Sequence, residues 1–352
     1  MNEARAALAA DHYRIQADGC RSGASASPFY ATMLDALGAD AARRGPAARV
    51  LDPVLDSGFL AALPLRLLGG IHREVLSGRA PALATRFPST GGDGDARAAI
   101  DDVLRMCDDP PPGVHDALDR DPQTNEVGRA ASLAVGLAAI GSITRRPIRL
   151  FEIGSSGGLN LRLDHYWYDA DGGWGNPDAP VRFAADEFLG RTEFAAAVPI
   201  VERRGCDLHP LDATTDAGVL TLLGYVWPDQ TERLDRLRRA LAVARDVPVT
   251  IDAQLGEAFV DQHFRPEPGT TTVLMHSIVW QYIPEAERRT IRAIVAERVA
   301  HSSVHAPCAW LRFEPRSDWT LAETHIEIWP HRPGAVRVAA SGFHGPPVHV
   351  FR

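Results

Sequence analysis

The sequence contains few cysteines, and none of them are arranged as in a disulfide framework or a zinc site. There are 4 cysteines in 352 residues, at Cys20, Cys107, Cys206 and Cys308, and no C-x-x-C pair occurs. A small secreted scaffold or a zinc ribbon would show closely spaced pairs. We therefore expect buried, reduced thiols, which are usual in a cytoplasmic protein.

Long hydrophobic runs and an excess of basic residues are also lacking. We find no stretch that approaches the roughly 18 apolar residues of a membrane span, and residues 1–10 lack the apolar core of a secretion signal. Lys and Arg number 37 against 45 Asp and Glu, a formal charge of −8. No overall electrostatic footprint for nucleic acid is present. We expect a cytoplasmic protein with a small-molecule partner, without membrane or nucleic-acid partners.

The length and composition allow a large core and more than one domain. With 352 residues and 45% hydrophobic content, the chain exceeds the roughly 100–200 residues of one typical domain. Helical patterns separated by Pro and Gly are expected at about 4–17, 28–41, 58–77, 96–107, 112–118 and 126–142. The sequence therefore predicts an all-α domain at 1–146, capping a cleft and setting substrate specificity, and a second domain at 147–352.

A glycine-rich turn, Gly154-Ser155-Ser156-Gly157-Gly158, follows an apolar strand at 150–153. Leu159, Leu161 and Leu163 then resume an apolar pattern that favours a helix. Glycines allow positive φ and a close backbone approach, and a helix start directs free N–H groups at an anionic ligand. Glu152 at the strand end is placed to accept from a hydroxyl or an amine. We interpret this region as a ligand-binding β-loop-α unit.

Four further short apolar strands are expected at about 198–202, 247–252, 271–277 and 308–313, with helices between them. This rhythm is typical of a parallel sheet. Segments 324–329 and 335–340 predict a C-terminal antiparallel hairpin. The expected fold is thus α/β, a Rossmann-like, mostly parallel sheet with a terminal hairpin, preceded by an all-α domain.

This succession looks like the seven-stranded fold of class I S-adenosylmethionine-dependent methyltransferases. The resemblance implies that Glu152, Gly154, Gly157 and Gly158 contact the methionine part of the cofactor. It also implies that Asp207, after the second strand, holds ribose, and that Asp252, after the third, meets adenine. Ser156 stands where the pattern has its second glycine; we include it in the predicted cofactor site with Ser155 and Asn160. Asp207 follows the loop by much more than the usual interval of about 20 residues, which requires that the aromatic segment through Glu193 be an insertion.

Distinctive linear motifs lie at 123–129, 152–161 and 227–230, and two more lie at 27–30 and 275–277. In these motifs the chain resembles a narrower group, the bacterial domain-of-unknown-function family 2332. The resemblance implies no activity and at most a methyltransferase-like fold.

Several residues outside the glycine turn are candidates for binding the substrate. Gln123, Asn125 and Arg129 precede a long Ala-rich helix, and Trp167 lies in an aromatic cluster with turn-forming residues. Two interpretations remain open for each group. The first segment either reaches the ligand or caps the helix through Thr124 or Asn125, and the aromatic cluster either forms a substrate wall or packs under a loop. Asp229, likewise, fits chemistry or an N-cap.

The predicted function is methyl transfer from S-adenosylmethionine to an unidentified acceptor. His276, after the fourth strand, is the candidate general base, and Tyr282 is placed to orient the acceptor; a buried, hydrogen-bonded His276 is the alternative. A non-catalytic protein that binds S-adenosylmethionine or a nucleotide is also open. So is a serine hydrolase, because residues 154–158 satisfy G-x-S-x-G with Ser156 as nucleophile. No metal site is expected.

Overall fold

A computed structural model describes residues 1–21, 26–58 and 62–351, and the chain forms two compact units. Unit 1 comprises residues 1–124 and 215–238; unit 2 comprises residues 125–214 and 239–352. The predicted first domain, 1–146, also included the helix at 130–144, which is part of unit 2. The roles predicted for the two domains stay predictions.

Unit 1 is helical. Its helices are α1 (Glu3–Cys20), α2 (Pro28–Ala42), α3 (Pro46–Leu51), α4 (Leu63–Leu76), α5 (Pro81–Ala84), α6 (Ala96–Asp108), α7 (Pro112–Leu118), α9 (Asp216–Gly224) and the first part of α10 (Thr231–Asp246). The helices expected at 4–17, 28–41, 96–107 and 112–118 are confirmed. The helix expected at 58–77 begins only at Leu63, and residues 59–61 lie outside the described residues. In five of these helices a proline lies in the first turn, where a missing N–H costs no hydrogen bond: Pro28, Pro46, Pro64, Pro81 and Pro112.

The later segment 215–238 joins unit 1 through specific polar contacts and apolar packing. Asp229 accepts from the Ser27 hydroxyl at 2.5 Å and from the Phe29 N–H at 3.0 Å, at the start of α2. Trp227, 7% exposed, belongs to the same core as the buried residues of α1 to α7. Asp229 therefore caps α2, about 200 residues earlier in the chain, which neither interpretation from the sequence anticipated.

Unit 2 is built on a nine-stranded sheet with order β5-β12-β11-β10-β9-β8-β1-β6-β7. The strands are β1 (Ile148–Ile153), β5 (Phe188–Leu189), β6 (Ile200–Asp207), β7 (Thr250–Ala253), β8 (Thr271–Ser277), β9 (Cys308–Pro315), β10 (Ala322–Trp329), β11 (Arg332–Gly342) and β12 (Gly345–Val350). Neighbours from β7 to β9 are parallel, and β9 to β12 are antiparallel. The mixed α/β fold with a mostly parallel central part is confirmed, as are the five predicted parallel strands.

The C-terminal part contains one more strand than predicted. The expected hairpin is β10 with β11, and β12 pairs on the far side of β11. A turn around Phe343 and His344 connects β11 to β12. The segment after it, with Pro346 and Pro347, lacks the alternation that marks a strand, and pairing with β11 and with β5 stabilises it as one.

Part of the chain between β1 and β6 forms a small separate sheet, which agrees with the insertion hypothesis, while β5 joins the large sheet. Strands β2 (Trp167–Tyr168), β3 (Trp174–Gly175) and β4 (Arg182–Phe183) make a separate three-stranded sheet. The predicted helix after the glycine turn is wrong: a six-residue 3₁₀ helix, Asn160–His165, stands there. The Tyr166 and Tyr168 hydroxyls donate to the carbonyls of Leu159 and Leu163, which competes with continuation of an α-helix.

Three helices pack on the sheet of unit 2. Helix α8 (Ala130–Thr144) packs against β9 to β12, while α11 (Gly256–His263) and α12 (Glu285–Val299) connect β7 to β8 and β8 to β9. By length and composition the segment Val127–Thr144 can cross a membrane, with mean hydropathy 1.4 over 18 residues. The sequence reading overlooked it. Since 83% of this segment is buried inside the structure, it behaves as a core helix.

Candidate functional site

The glycine turn adopts the backbone conformation that its composition predicts. Gly154 and Gly158 have φ of +69° and +68°. A Cβ on Gly154 would lie 2.5 Å from Cγ2 of Val279, so the turn after β1 lies directly against the turn after β8. Ser156 also has positive φ, +51°, which is uncommon for a residue other than glycine. The turn thus depends on glycine at residue 154 for both space and backbone conformation.

Most N–H groups of the turn are bound by the protein and do not face a ligand. Gly154 and Ser155 both donate to the Cys206 carbonyl, at 2.8 and 3.0 Å. Ser156 N–H donates to Asp207 Oδ2 at 2.9 Å. With a 3₁₀ helix in place of an α-helix, the expectation of free N–H groups pointing at an anion is wrong.

Glu152 is the most unusual side chain of the turn region. It is 1% exposed, and its Oε2 atom is sealed from solvent without a hydrogen-bond partner among the described residues. Burial raises the pKa of its carboxyl group to about 8, against the lowering influence of Arg129 and a further raising influence of Asp207. A buried carboxyl group in this state is a common feature of functional sites.

The predicted substrate segment contacts the turn. Leu159 N–H donates to Asn125 Oδ1 at 2.8 Å, and the Asn160 amide donates to the Glu126 carbonyl at 3.4 Å. Asn125 therefore accepts from the turn and not from its own helix. Arg129 donates to the Ser277 carbonyl at 3.2 Å, after β8. The segment therefore contacts the turn, and its role toward a ligand or substrate stays a prediction.

The residue that opens the predicted substrate segment lies apart from the turn contacts. Gln123 is half-buried and belongs to unit 1. No structural observation assigns it to the turn, so its substrate role also stays a prediction.

Three polar atoms of segment 152–160 are sealed and lack partners among the residues that the structure describes. They are Glu152 Oε2, Ser156 Oγ and Asn160 Oδ1. Native proteins rarely leave buried polar atoms unpaired, and a bound ligand or water is the usual explanation. We call these three residues the turn site. Two of its atoms are oxygen acceptors, and the third is a hydroxyl that also accepts.

The register of the sheet separates the predicted site residues onto two faces. Glu152 pairs with Gly205 and Met275, and a Cβ on Gly205 would meet Ser155, so this face carries the turn. Asp207 lies on the same face and binds Ser156. Side chains alternate along a strand, so the adjacent register positions point to the other face.

Asp252 and His276 lie on that other face. Asp252 pairs with Cys206 in register; its two oxygens accept from Arg204 at 2.6 and 2.7 Å, which lowers the pKa of the carboxyl group. His276 is fully buried, with Nδ1 2.6 Å from Glu314 Oε1 and its ring stacked on Trp280 at 4.9 Å. The interpretation of a buried, hydrogen-bonded His276 is confirmed. The structure does not bring these two residues to the turn site.

Tyr282 and Trp167, the remaining predicted site residues, occupy different surroundings. Tyr282 is 62% exposed in a short 3₁₀ helix after β8. Trp167 lies in the small sheet, with Arg182 5.8 Å from its ring centre. Its neighbour Tyr168 stacks on Phe183 at 5.1 Å, so the aromatic cluster packs under its loop. The roles of Tyr282 and Trp167 toward a substrate stay predictions.

The hydrolase alternative requires a base beside Ser156. Its Oγ atom is sealed and has no hydrogen-bond partner within the described ranges, histidine included. A serine nucleophile is normally activated by a base within hydrogen-bond reach. The positive φ of Ser156 is compatible with a sharp nucleophile turn. However, no hydrogen bond joins Ser156 Oγ to a base among the described residues.

One protein family, described as "Uncharacterized protein conserved in bacteria (DUF2332)", matches residues 10–349. The chain belongs to this family. The resemblance drawn from the motifs is thereby confirmed. No curated protein and no solved structure matches the chain. The residues of the DUF2332 motifs fall into two groups in the structure. Ser27 and Asp229 join helices of unit 1. Asn125, Arg129 and Glu152 lie around the glycine turn.

Two residues that sequence reasoning missed belong to the polar interior of this DUF2332 protein. Arg162 is 3% exposed and donates to the carbonyls of Gly157 and Gly158. A charge inside the apolar run 159–163 was the available signal. Glu314 holds His276 and also accepts from the N–H groups of Val279 and Trp280. Nothing in the spacing of Glu314 indicated that pairing, because the two residues lie on different strands.

Proposed function

We propose that this protein is an S-adenosylmethionine-dependent methyltransferase acting on a small-molecule acceptor. The observation that supports it best is the buried Glu152 carboxyl, with a sealed and unpartnered oxygen, at the carboxyl end of the central strand. In this proposal Glu152 binds the ammonium group of the methionine part of the cofactor. The sheet is then of the class I methyltransferase type.

The sheet topology supports a ligand at this place. The chain runs from β1 to β6 and β7 on one side of the sheet and from β8 to β9 on the other. In open α/β sheets ligands bind at the carboxyl ends of the strands where the order reverses, here between β1 and β8. The contacts of Gly154 with Val279 and of Arg129 with Ser277 show that the two turns meet there.

The chemistry of the turn site fits the methionine end of the cofactor. An ammonium group offers three N–H donors and no acceptor, and Glu152, Ser156 and Asn160 each present an oxygen that accepts. When bound, S-adenosylmethionine supplies an electrophilic methyl group on a sulfonium. Glu152 would bind the cofactor as a carboxylate, so binding at pH 7 requires a proton to leave this residue.

The fit to the nucleoside end is partial. Asp207 uses one oxygen for Ser156 N–H and the other for His209 N–H, and a carboxylate accepts about four hydrogen bonds. It therefore retains capacity for ribose hydroxyls. Asp252 is bound by Arg204 through both oxygens on the opposite face, so the proposal gives it no contact with adenine.

His276 is the predicted general base, but it lies on the face of the sheet opposite Glu152, so it serves as the base only if the acceptor reaches that face. Glu314 fixes its Nδ1, and its Nε2 has no partner among the described residues, which is the arrangement a base requires. Its Nε2 is sealed by the surrounding residues, so proton transfer needs the segment 278–282 to move. Ile278 in that segment has φ of +51°, a strained conformation for a β-branched residue.

Calorimetry with S-adenosylhomocysteine tests the proposal. We expect binding to the wild type, and at least about tenfold weaker binding to Glu152→Gln, since losing a charge-assisted hydrogen bond costs roughly 1.5–3 kcal/mol. At pH 7 the wild-type heat should vary with the ionisation enthalpy of the buffer, because Glu152 releases a proton. Glu193→Gln, at an exposed glutamate of the same unit, is the matched control. Absence of binding to the wild type, or equal binding by Glu152→Gln, contradicts the proposal.

Two outcomes separate the alternatives. Binding without methyl transfer to any acceptor of a broad panel indicates a non-catalytic binding protein. The positive φ of Ser156 is the observation that favours a serine hydrolase. Labelling of Ser156 by a fluorophosphonate probe, lost in Ser156→Ala, supports that function and removes the methyltransferase proposal if no cofactor binds.

A further inference from the structure

Unit 2 contains a cavity of about 430 Å³ that the predicted cofactor residues line only through Gly157. Its walls come from the turn and 3₁₀ helix (Gly157 and Arg162), from residues 210–214 after β6, and from residues 244–251 leading into β7. All of these belong to unit 2. The volume lies in the range of about 300–1,000 Å³ that is usual for small-molecule sites.

The cavity combines apolar side chains with one buried cation. Leu211, Ala244 and Val249 line part of it, while the larger part of its surface is polar. Arg162 is 3% exposed, whereas Arg245 lies exposed at the rim. A guanidinium group does not lose its proton in proteins, so the wall carries a fixed positive charge.

The hydrogen bonds of Arg162 leave part of its guanidinium group free. Nε donates to the Val247 carbonyl at 2.7 Å, and Nη1 donates to the carbonyls of Gly157 and Gly158 at 3.1 and 2.9 Å. A guanidinium has five N–H donors, so the two on Nη2 remain. Nη2 is not among the sealed polar atoms without partners, and it is therefore accessible where Arg162 lines the cavity.

Arg162 also lacks a counter-ion in the described part of the chain. Its three hydrogen bonds go to neutral carbonyls, and no ion pair joins it to a carboxylate. The carboxylate on the cavity wall, Asp212, is exposed and already accepts from Thr214 N–H and its hydroxyl. A buried charge without a partner is costly. An anion in the cavity, which both Arg162 and Arg245 line, would remove that cost.

We propose that this cavity binds a small organic anion, with its carboxylate or phosphate group on Arg162 Nη2 and its apolar body against residues 244–251. The two N–H groups of Nη2 suit one oxygen of either group. The apolar residues on one side of the cavity suit an organic body beside the anionic group. This site is distinct from the turn site, whose sealed oxygens select a cation.

Binding of benzoate and of phenyl phosphate, followed by ligand-observed NMR, tests the site and distinguishes the two anionic groups. We expect at least one probe to bind with a Kd of about 1 mM or tighter, a binding free energy of roughly −4 kcal/mol. Binding should weaken at higher salt. Benzylamine, of similar shape and opposite charge, should not bind.

Three variants localise the binding. Arg162→Gln removes the proposed contact, with at least a tenfold loss expected. Because that residue also holds the glycine turn, Arg245→Glu and Thr214→Trp provide tests at exposed residues: charge reversal at the rim and obstruction of the cavity, each with at least a fivefold loss. Arg239→Glu, exposed on α10 and outside the cavity lining, should bind as the wild type does.

The proposal fails if neither probe binds the wild type at about 10 mM, or if Arg245→Glu and Thr214→Trp both bind as tightly as it does. It stands apart from the proposed function. Glu152→Gln should leave the anion probes unaffected, whereas Thr214→Trp should leave S-adenosylhomocysteine binding unaffected if the two sites are separate. Each proposal can therefore fail alone.

Discussion

At the residue scale, Glu152 is the side chain on which the proposed site depends. It is buried on the face of the sheet that carries the turn, and Arg129 and Arg162 only partly offset the burial that raises its pKa to about 8. A carboxyl group that is neutral at pH 7 needs no counter-ion. It still binds a cation, because a cation nearby favours the ionised form and the proton is released. Its burial, which the sequence did not show, gives it this property.

The raised pKa of Glu152 predicts a specific dependence of stability on pH. In the unfolded chain the group ionises near its ordinary value of 4.5, and in the folded protein near 8. Between these values the unfolded state binds fewer protons, so the free energy of unfolding falls as pH rises, and the dependence ends above about 8. At about 1.4 kcal/mol per pKa unit, the loss is on the order of 3–5 kcal/mol.

We therefore expect Glu152→Gln, which cannot ionise, to be more stable than the wild type without ligand. The difference should grow from pH 5 to pH 8, as measured by urea unfolding at each pH. Glu193→Gln should follow the wild-type curve. A difference that is the same at both pH values would show that the group does not titrate in this range.

For His276, a role as general base and a purely structural role predict different results when the residue is substituted. If it is the base, His276→Gln should lower kcat by about 10²–10⁴-fold. The Kd for S-adenosylhomocysteine should not change, because the residue lies on the face opposite Glu152. Glu314→Gln should act in the same direction more weakly and alter the pH profile of kcat. An unchanged kcat in a folded His276→Gln protein would leave this residue with a structural role alone.

At the element scale, the start of α2 depends on a side chain that is distant in sequence. Asp229 accepts from Ser27 and Phe29, so it supplements the local cap, in which Ser27 Oγ accepts from Tyr30 N–H at 3.1 Å. The first N–H groups of a helix have no partner within the helix. Here Asp229, in the segment 215–238, provides the acceptor for one of these N–H groups, that of Phe29.

Asp229→Ala should accordingly destabilise unit 1 by about 1–3 kcal/mol, since it leaves a buried hydroxyl and a helix N–H without their acceptor. Asp235→Ala, which removes an exposed ion pair with Arg238 on the same helix, should cost less than about 0.5 kcal/mol. Thermal unfolding followed by circular dichroism measures both. Equal effects would contradict the capping role.

A second prediction at this scale concerns Gly154, in the turn after β1. A Cβ there meets Val279 at 2.5 Å in addition to the strain of positive φ, whereas Gly269, with φ of +86°, has nothing within 4 Å. Gly269→Ala should cost about 1 kcal/mol for the conformation alone. Gly154→Ala should cost about 1–3 kcal/mol more, because the turn after β8 must shift. Urea midpoints of the two variants give the comparison; a difference near zero would mean that Val279 yields freely.

At the scale of the whole molecule, the elements of both units can be predicted from local sequence patterns, but the unit to which one segment belongs cannot. The helices of unit 1 follow from 3.6-residue hydrophobic patterns and first-turn prolines, and the parallel strands of unit 2 follow from short apolar runs. The assignment of 215–238 to unit 1 could not be read in this way, because it depends on contacts such as that of Asp229 with Ser27. Local pattern determines an element, and partners distant in sequence determine where it docks.

The sequence by itself determined the positions of the parallel strands and the glycine turn, because strand burial and positive φ leave direct marks in residue type. The side to which each strand-end residue points was decided by the tertiary structure. A shift of one residue in register moves a side chain to the other face of a sheet, and Glu152 and His276 are separated in this way. The unpaired oxygens of Glu152, Ser156 and Asn160 were likewise visible only in the folded chain, because a missing partner is a property of the surroundings and not of the residue.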